Sequence, residues 1–255
     1  MSIPTNNYSR AVHSFKVPID LLLLGLILFS GSGCVESKSD ADHQVRYTGA
    51  LRSLMAGDLQ ATSSLDSLTS YSNLYALGAQ EGLRGEIQIF GGESFNSYVD
   101  DGTITLDREM NARAALLVYS QVDAWRSFDI PSDIATKAEL EAYVKKVAAE
   151  NNISTDRPFP FLLEGRPTSL SWHVIDWVEG DTEHSPAKHK NSGLQGRLND
   201  QEVDIIGFYS QHHQTIFTHH STYVHMHFKT KDGQLAGHVD DLQLSKDLIL
   251  KLPKQ

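Results

Sequence analysis

Polar and apolar residues alternate most strictly in Thr222-Tyr223-Val224-His225-Met226-His227-Phe228. An extended strand there puts Val224, Met226 and Phe228 on one face and His225 and His227 on the other. Glu86-Ile87-Gln88-Ile89-Phe90 alternates in the same way and stops at Gly91-Gly92, a strand entering a turn. Tyr98-Val99 and Thr103-Ile104-Thr105-Leu106 flank Asp101-Gly102, the pattern of a tight hairpin, and Ala114 to Val122 is a further apolar strand. Helical spacing occurs twice. Leu51, Leu54 and Met55 predict a short helix ending near Gly57, and Leu140, Tyr143, Val144 and Val147 predict a longer one. The longer helix is preceded by Thr136-Lys137-Ala138-Glu139, the spacing of a capping box. It reads as a packing helix with no chemistry of its own.

After Pro158 and Pro160 the pattern turns to strands: Phe161 to Glu164, Ser169 to Trp177, Val203 to Tyr209, Thr222 to Lys229 and Ala236 to Leu244. Residues 178–191 are polar and charged and read as a solvated loop, with His184 and His189 as ordinary surface residues. The expected class is α+β. A mixed sheet with helices over 47–157 is followed by a mainly antiparallel sheet over 158–255.

The N-terminus has a different pattern. Arg10, His13 and Lys16 precede an apolar run from Leu21 to Phe29, and Ser30-Gly31-Ser32-Gly33-Cys34 follows. This is the order of an export signal. The uncharged stretch from Leu21 to Gly33 has 13 residues, short of the roughly 18 a membrane span needs. Small residues before a cysteine resemble the bacterial lipoprotein box, although Gly31 stands where that pattern has Leu. Residues 1–34 are therefore read as a signal peptide. Either Cys34 carries a lipid, the chain's one route to a membrane, or the signal is cleaved and the cysteine is incidental. Residues 35–46 form a polar tether.

Composition narrows the chemistry. A net charge of -10 would repel a phosphate backbone, so a nucleic-acid partner is not expected. Without residues 1–34 the chain keeps 20 basic and 31 acidic residues and no cysteine, so no disulfide braces it. Twelve histidines remain conspicuous, seven of them between His212 and His238. Soft-metal chemistry in this chain must use imidazole rather than thiolate.

A turn rule locates that chemistry. The strand bearing His225 and His227 runs into Lys231-Asp232-Gly233-Gln234. A two-residue turn at Asp232-Gly233 places His227 opposite His238 and His225 opposite Asp240. Opposed β-carbons lie about 4.5–5.5 Å apart, close enough for three imidazoles to share an ion at about 2.0–2.1 Å. Three protein ligands leave a zinc coordination position open, the mark of a catalytic site. Asp240 is either an orienting partner for a ligand imidazole or a solvated rim charge. His212, His213, His219 and His220 belong to a separate loop group that lines the approach or sits in solvent.

His225-Met226-His227-Phe228 and Gly237-His238-Val239-Asp240 resemble the His-x-His-Phe and Gly-His-Val blocks of the bacterial α-acetolactate decarboxylases. Gly82-Leu83-Arg84-Gly85-Glu86 resembles that family's Gly-Leu-Asp-Gly-Glu block, in the same order and at comparable separation. The resemblance implies two subdomains, each built on a sheet, with Zn2+ held by His225, His227 and His238 in the cleft between them. It also implies a small 2-hydroxy-3-oxo acid substrate, 2-acetolactate, decarboxylated to acetoin. Glu86 takes the catalytic carboxyl role; by pattern alone it is a solvated strand-edge residue. A homodimer is compatible with the sequence.

Two positions depart from the family pattern. His173 falls where the family has a substrate-binding arginine, and it lacks the fixed charge and bidentate fork of that residue. It stands either as a catalytic substitute or as a strand residue packed beside Trp172. The family's C-terminal glutamate has no counterpart, since Asp247 is the one carboxylate after Leu244. Three readings follow: a zinc carboxy-lyase, a divergent zinc enzyme acting on another hydroxy-oxo acid or as a hydrolase, and a non-catalytic zinc-binding surface lipoprotein. The first is preferred.

Overall fold

The structure is a computed structural model that describes residues 43–255. The expected signal segment, Cys34 and most of the tether lie outside the described residues. The chain forms β1 (Arg46–Thr48), α1 (Leu51–Met55), β2 (Ser63–Ser64), β3 (Leu74–Gln80), β4 (Glu86–Phe90), β5 (Glu93–Ser94), β6 (Asn96–Asp100), β7 (Thr103–Asp107), β8 (Arg113–Gln121), β9 (Trp125–Asp129) and α2 (Lys137–Glu150). It continues with β10 (Phe159–Gly165), β11 (Ser169–Val174), α3 (Pro186–Asn191), β12 (Leu194–Asn199), β13 (Val203–Tyr209), β14 (Val224–Thr230), β15 (Ala236–Gln243) and β16 (Ile249–Pro253).

Two sheets result. The first runs β1-β8-β3-β4-β6-β7, with β2 on β8 and β5 on β4; the second runs β12-β11-β15-β14-β13-β10-β16-β9. The α+β class with few helices is as expected. One detail is corrected: every pairing in the first sheet is antiparallel, not mixed. Parallel neighbours need a crossover of about a dozen residues or more, whereas short turns such as Gly91-Gly92 and Asp101-Gly102 reverse the chain here. Asp101 and Gly102 both have positive φ, 46° and 72°, the conformation of a two-residue hairpin turn whose twist matches its strands. Sheet membership also does not follow the 157/158 division. β9 pairs with β16 at the edge of the second sheet, and α2 packs on that sheet.

The core has three parts, and strand alternation sorts them. Leu140, Val144, Val147 and Ala148 of α2 pack with Phe161, Leu163, Ile205, Met226 and Phe228 on the outer face of the second sheet. Leu74, Ala76, Ile87, Ile89 and Leu117 fill the outer face of the first with Leu65 and Leu68. Between the sheets, Leu77, Ala79, Leu116 and Val118 meet Leu162, Ile206 and Phe208. Positions 77 and 79 thus point inward while 74 and 76 point outward, as a period of two requires. Among the described residues no helix is long and apolar enough to cross a membrane.

Candidate active site

Register decides what faces the space between the sheets. In β4, Glu86 pairs with Ala79 and Gln88 with Leu77, so both side chains share the inward face of the first sheet. In β14, His227 pairs with Ile206 and His225 with Phe208, which puts both histidines on the inward face of the second. His227 lies opposite His238, as the turn rule required, and His238 lies opposite His173 of β11. Ile206, His227, His238 and His173 therefore form one row across four strands. The ladder of β14 and β15 does not continue to the expected His225–Asp240 pair. Asp240 is instead the extra residue of a β-bulge, skipped between Val239 and Asp241, a device that re-aims side chains beside sites.

Glu86 is delivered by a constrained turn. Gly85 has φ 151°, and a Cβ placed there would come within 2.4 Å of Ser97 O. Only glycine allows both the backbone angle and the close approach. The Glu86 side chain is buried, accepts a hydrogen bond from the Ile175 amide at 3.2 Å, and lies 3.7 Å from His173 Nε2 and 3.9 Å from His227 Nε2. Burial raises its pKa to about 7, partly opposed by the nearby His173 charge.

His225, His227 and His238 offer ring nitrogens that all lie within 4.8 Å of one another. His225 Nε2 and His227 Nε2 approach to 3.2 Å. Burial and mutual repulsion hold His225 and His227 well below the usual histidine range, and His238 at about 4. Neutral imidazoles keep the lone pairs that a metal requires. One of the rings is hydrogen-bonded from behind, and a second faces a carboxylate. His227 Nδ1 donates to Gln88 Oε1 at 3.0 Å, leaving Nε2 as the acceptor, and His238 Nδ1 lies 3.4 Å from Asp240 Oδ1. Such outer partners fix tautomer and ring plane. His173, His238 and Asp240 form an overlapping group, but His173 Nδ1 and Asp240 Oδ1 already engage each other at 2.9 Å. The three-histidine set is the better donor set for a divalent ion.

His173 is in the site and is not a packing residue beside Trp172. Burial alone would depress its pKa, but the hydrogen bond that His173 Nδ1 donates to Asp240 and the charge of Glu86 outweigh burial and raise it. For Asp240, burial opposes its charge while His173 and His238 hold its pKa far below the usual carboxylate range. The orienting role of Asp240 is the one the geometry favours over the rim charge. Lys190 also reaches it, at 3.3 Å from Oδ2.

The residues surround a cavity of about 1090 Å³ lined by both sheets, α1, the first turn of α2, and α3. His184 and His189 are not ordinary surface residues. α3, capped by Ser185 and opened by Pro186, folds the expected loop back so that His189 is buried and lines the cavity. His184 Nδ1 meets His189 Nε2 at 2.8 Å, and His184 stacks on Trp177 at 4.7 Å. His219 and His220 line the approach, whereas His213 bonds Ser210 and stacks on Phe217. Three residues escaped sequence reasoning. The alternating pattern shows Gln88 only as a strand residue, although its place two residues after Glu86 puts it on the same face. Lys137 and Glu141 come from the helix read as having no chemistry, and both line the cavity.

The profile of the alpha-acetolactate decarboxylase family matches residues 46–253 of this chain. The chain belongs to that family. Its fold is similar to that of alpha-acetolactate decarboxylase from Bacillus subtilis strain 168, with 18% identity, a TM-score of 0.66, and coverage of 83% of this chain and 86% of that one. The enzyme from Bacillus subtilis subspecies spizizenii gives the same values. A Staphylococcus aureus protein of unknown function, described as similar to alpha-acetolactate decarboxylase, has 14% identity and a TM-score of 0.66, with 83% and 85% coverage. No curated protein sequence matches. Membership of this decarboxylase family supports a decarboxylase acting on a small molecule.

Proposed function

We propose that this chain is a zinc-dependent carboxy-lyase that converts 2-acetolactate to acetoin. The observation that carries the reading is the convergence of Glu86 from the first sheet on His225, His227 and His238 of the second, within one cavity. His225, His227 and His238 would hold the ion. Bound zinc would supply Lewis acidity toward the substrate's adjacent carbonyl and hydroxyl oxygens and stabilise the negative charge that develops there. The bond to the carboxylate breaks, carbon dioxide leaves, and the electron pair stays behind as an enediolate. Glu86 is the carboxyl placed to give its proton to the carbon that lost the carboxylate, which completes acetoin. Ile175 N–H and His173 hold that carboxyl in place from one side. Asp240 keeps the His173 ring turned toward Glu86.

The experiment is turnover of racemic 2-acetolactate by purified zinc-loaded protein. Acetoin formation that is abolished in His227→Ala supports the reading. One equivalent of zinc bound with no acetoin formed overturns it, and failure to retain zinc overturns the metal site as well. A second reading, another 2-hydroxy-3-oxo acid as substrate, is favoured by one observation: His173 stands where the family pattern has arginine. Assay of homologues with longer alkyl groups beside 2-acetolactate separates the two.

We further propose that the protein is exported, from the basic, apolar and small-residue order of residues 10–34. Lipid on Cys34 would leave it anchored at the outer face of the membrane. The mass of the membrane-extracted protein tests this: an acylated Cys34 as the first residue supports it, and a soluble, unmodified chain overturns the anchor.

A further inference from the structure

The proposed substrate carries a carboxylate into a cavity already lined by Glu86, Glu141, Asp240 and Asp241. A cation must receive it. Three of the cationic side chains in the lining are accounted for. His173 is engaged with Asp240 and lies beside Glu86, Lys190 is paired with Asp240 at 3.3 Å, and Arg52 is exposed. Lys137 differs from all three. Its ammonium donates to the main-chain oxygen of Asp240 at 3.1 Å, and among the described residues no carboxylate comes within ion-pairing distance of it. Two of its three N–H bonds are left for another acceptor.

The backbone at Lys137 is held in place. Lys137 is the first residue of α2, whose start is locked by a capping box: Thr136 Oγ1 accepts from Glu139 N at 3.3 Å, and Glu139 Oε2 accepts from Thr136 N at 2.9 Å. The positive end of the helix dipole lies at the same place. Burial lowers the pKa of the ammonium, with Asp240, Asp241 and Glu141 pulling it back up, and its charge bears on both His225 and His238. Lys137 is therefore a desolvated, underpaired cation within electrostatic reach of the three-histidine group.

Resting on the carboxy-lyase reading, we propose that Lys137 is the residue that binds the substrate carboxylate, so that the first turn of α2 forms the carboxylate subsite of this chain. Lysine can do this as a point charge, without the planar fork of arginine. The consequence for specificity is that acids are preferred over neutral molecules bearing the same pair of oxygens.

The test uses the full-length zinc-loaded protein and two unreactive probes with vicinal oxygens: 2,3-dihydroxy-2-methylbutanoate, which has the carboxylate, and butane-2,3-diol, which lacks it. Calorimetry is expected to show that Lys137→Met weakens the acid at least tenfold and leaves the diol within about twofold, while Lys137→Arg keeps most of the affinity for the acid. Unchanged affinity for the acid in Lys137→Met overturns the proposal. Equal weakening of both probes also overturns it, because it assigns Lys137 a purely structural role through Asp240. Lys137→Gln repeats the comparison if the methionine variant does not melt cooperatively. The two proposals fail separately. Lys137-dependent preference for the acid without any acetoin formation sinks the carboxy-lyase reading alone, whereas acetoin formation with an unchanged KM in Lys137→Met sinks the subsite alone.

Discussion

Gln88 Oε1 accepts a hydrogen bond from His227 Nδ1 at 3.0 Å, and that bond joins the two sheets at the candidate metal site. Gln88 is itself fully buried and held by Nε2 bonds to Phe95 O at 2.6 Å and Ser97 Oγ at 3.0 Å. Because its amide nitrogen is committed, its oxygen must face His227, which makes Nδ1 the protonated nitrogen and frees Nε2. Gln88→Leu removes the acceptor but keeps the volume. Zinc affinity should fall about 10- to 100-fold, measured by competition with a chromogenic chelator.

Glu86→Gln keeps the shape and the Ile175 contact but removes the transferable proton. The expected outcome is a fall in kcat of about 10²- to 10⁴-fold with zinc stoichiometry unchanged. Equal loss of zinc and activity would show instead that Glu86 acts through the metal site.

Metal removal should cost stability, because a three-histidine site exists only in the folded chain. Zinc at one hundred times its Kd should stabilise by about 2.7 kcal/mol, or about 2–4 °C in Tm for each kcal/mol in a domain of this size. His238→Ala should show no such response to zinc in a thermal melt.

His189, which lines the cavity but is not among the three candidate ligands, gives a pH dependence of its own. Burial, followed by the charges of His184 and His173, lowers its pKa to about 4 from an ordinary value of 6.5. The unfolded chain then binds the proton first. Stability is complete above pH 6.5 and is lost as pH falls toward 4, by an amount on the order of 1–3 kcal/mol. Denaturant unfolding at stepped pH should show this slope, and His189→Gln should flatten it.

Gly85→Ala should damage the site from a distance. The added Cβ would meet Ser97 O at 2.4 Å on a backbone at φ 151°, so β4 or β6 must shift. A loss of about 1–3 kcal/mol is expected, with a larger proportional loss of kcat because Glu86 is the next residue.

Local patterns were legible where their signal is short-range. The Asp101-Gly102 hairpin, the Thr136 capping box and the pairing of His227 with His238 each depend on a few neighbouring residues, and each is found as read. Residues 178–191 differ from the solvated loop their charge pattern predicts, because that pattern cannot show that α3 has a sheet to fold against. Lys137 and Glu141 were passed over for a related reason: amphipathic spacing shows which face of α2 is buried, not what its first turn overlooks.

By itself the sequence determined the metal-binding candidates, since strand alternation and one turn suffice to bring three imidazoles together. It also determined the family blocks around them. Only the tertiary structure decided that Glu86 and Gln88 face those imidazoles, that Asp240 bulges to hold His173, and that α2 brings a half-buried ammonium to the same cavity. The physical reason is range. Hydrogen bonding along one hairpin is set by residues a few positions apart, whereas the packing of two sheets and a helix depends on apolar surface contributed by the whole chain.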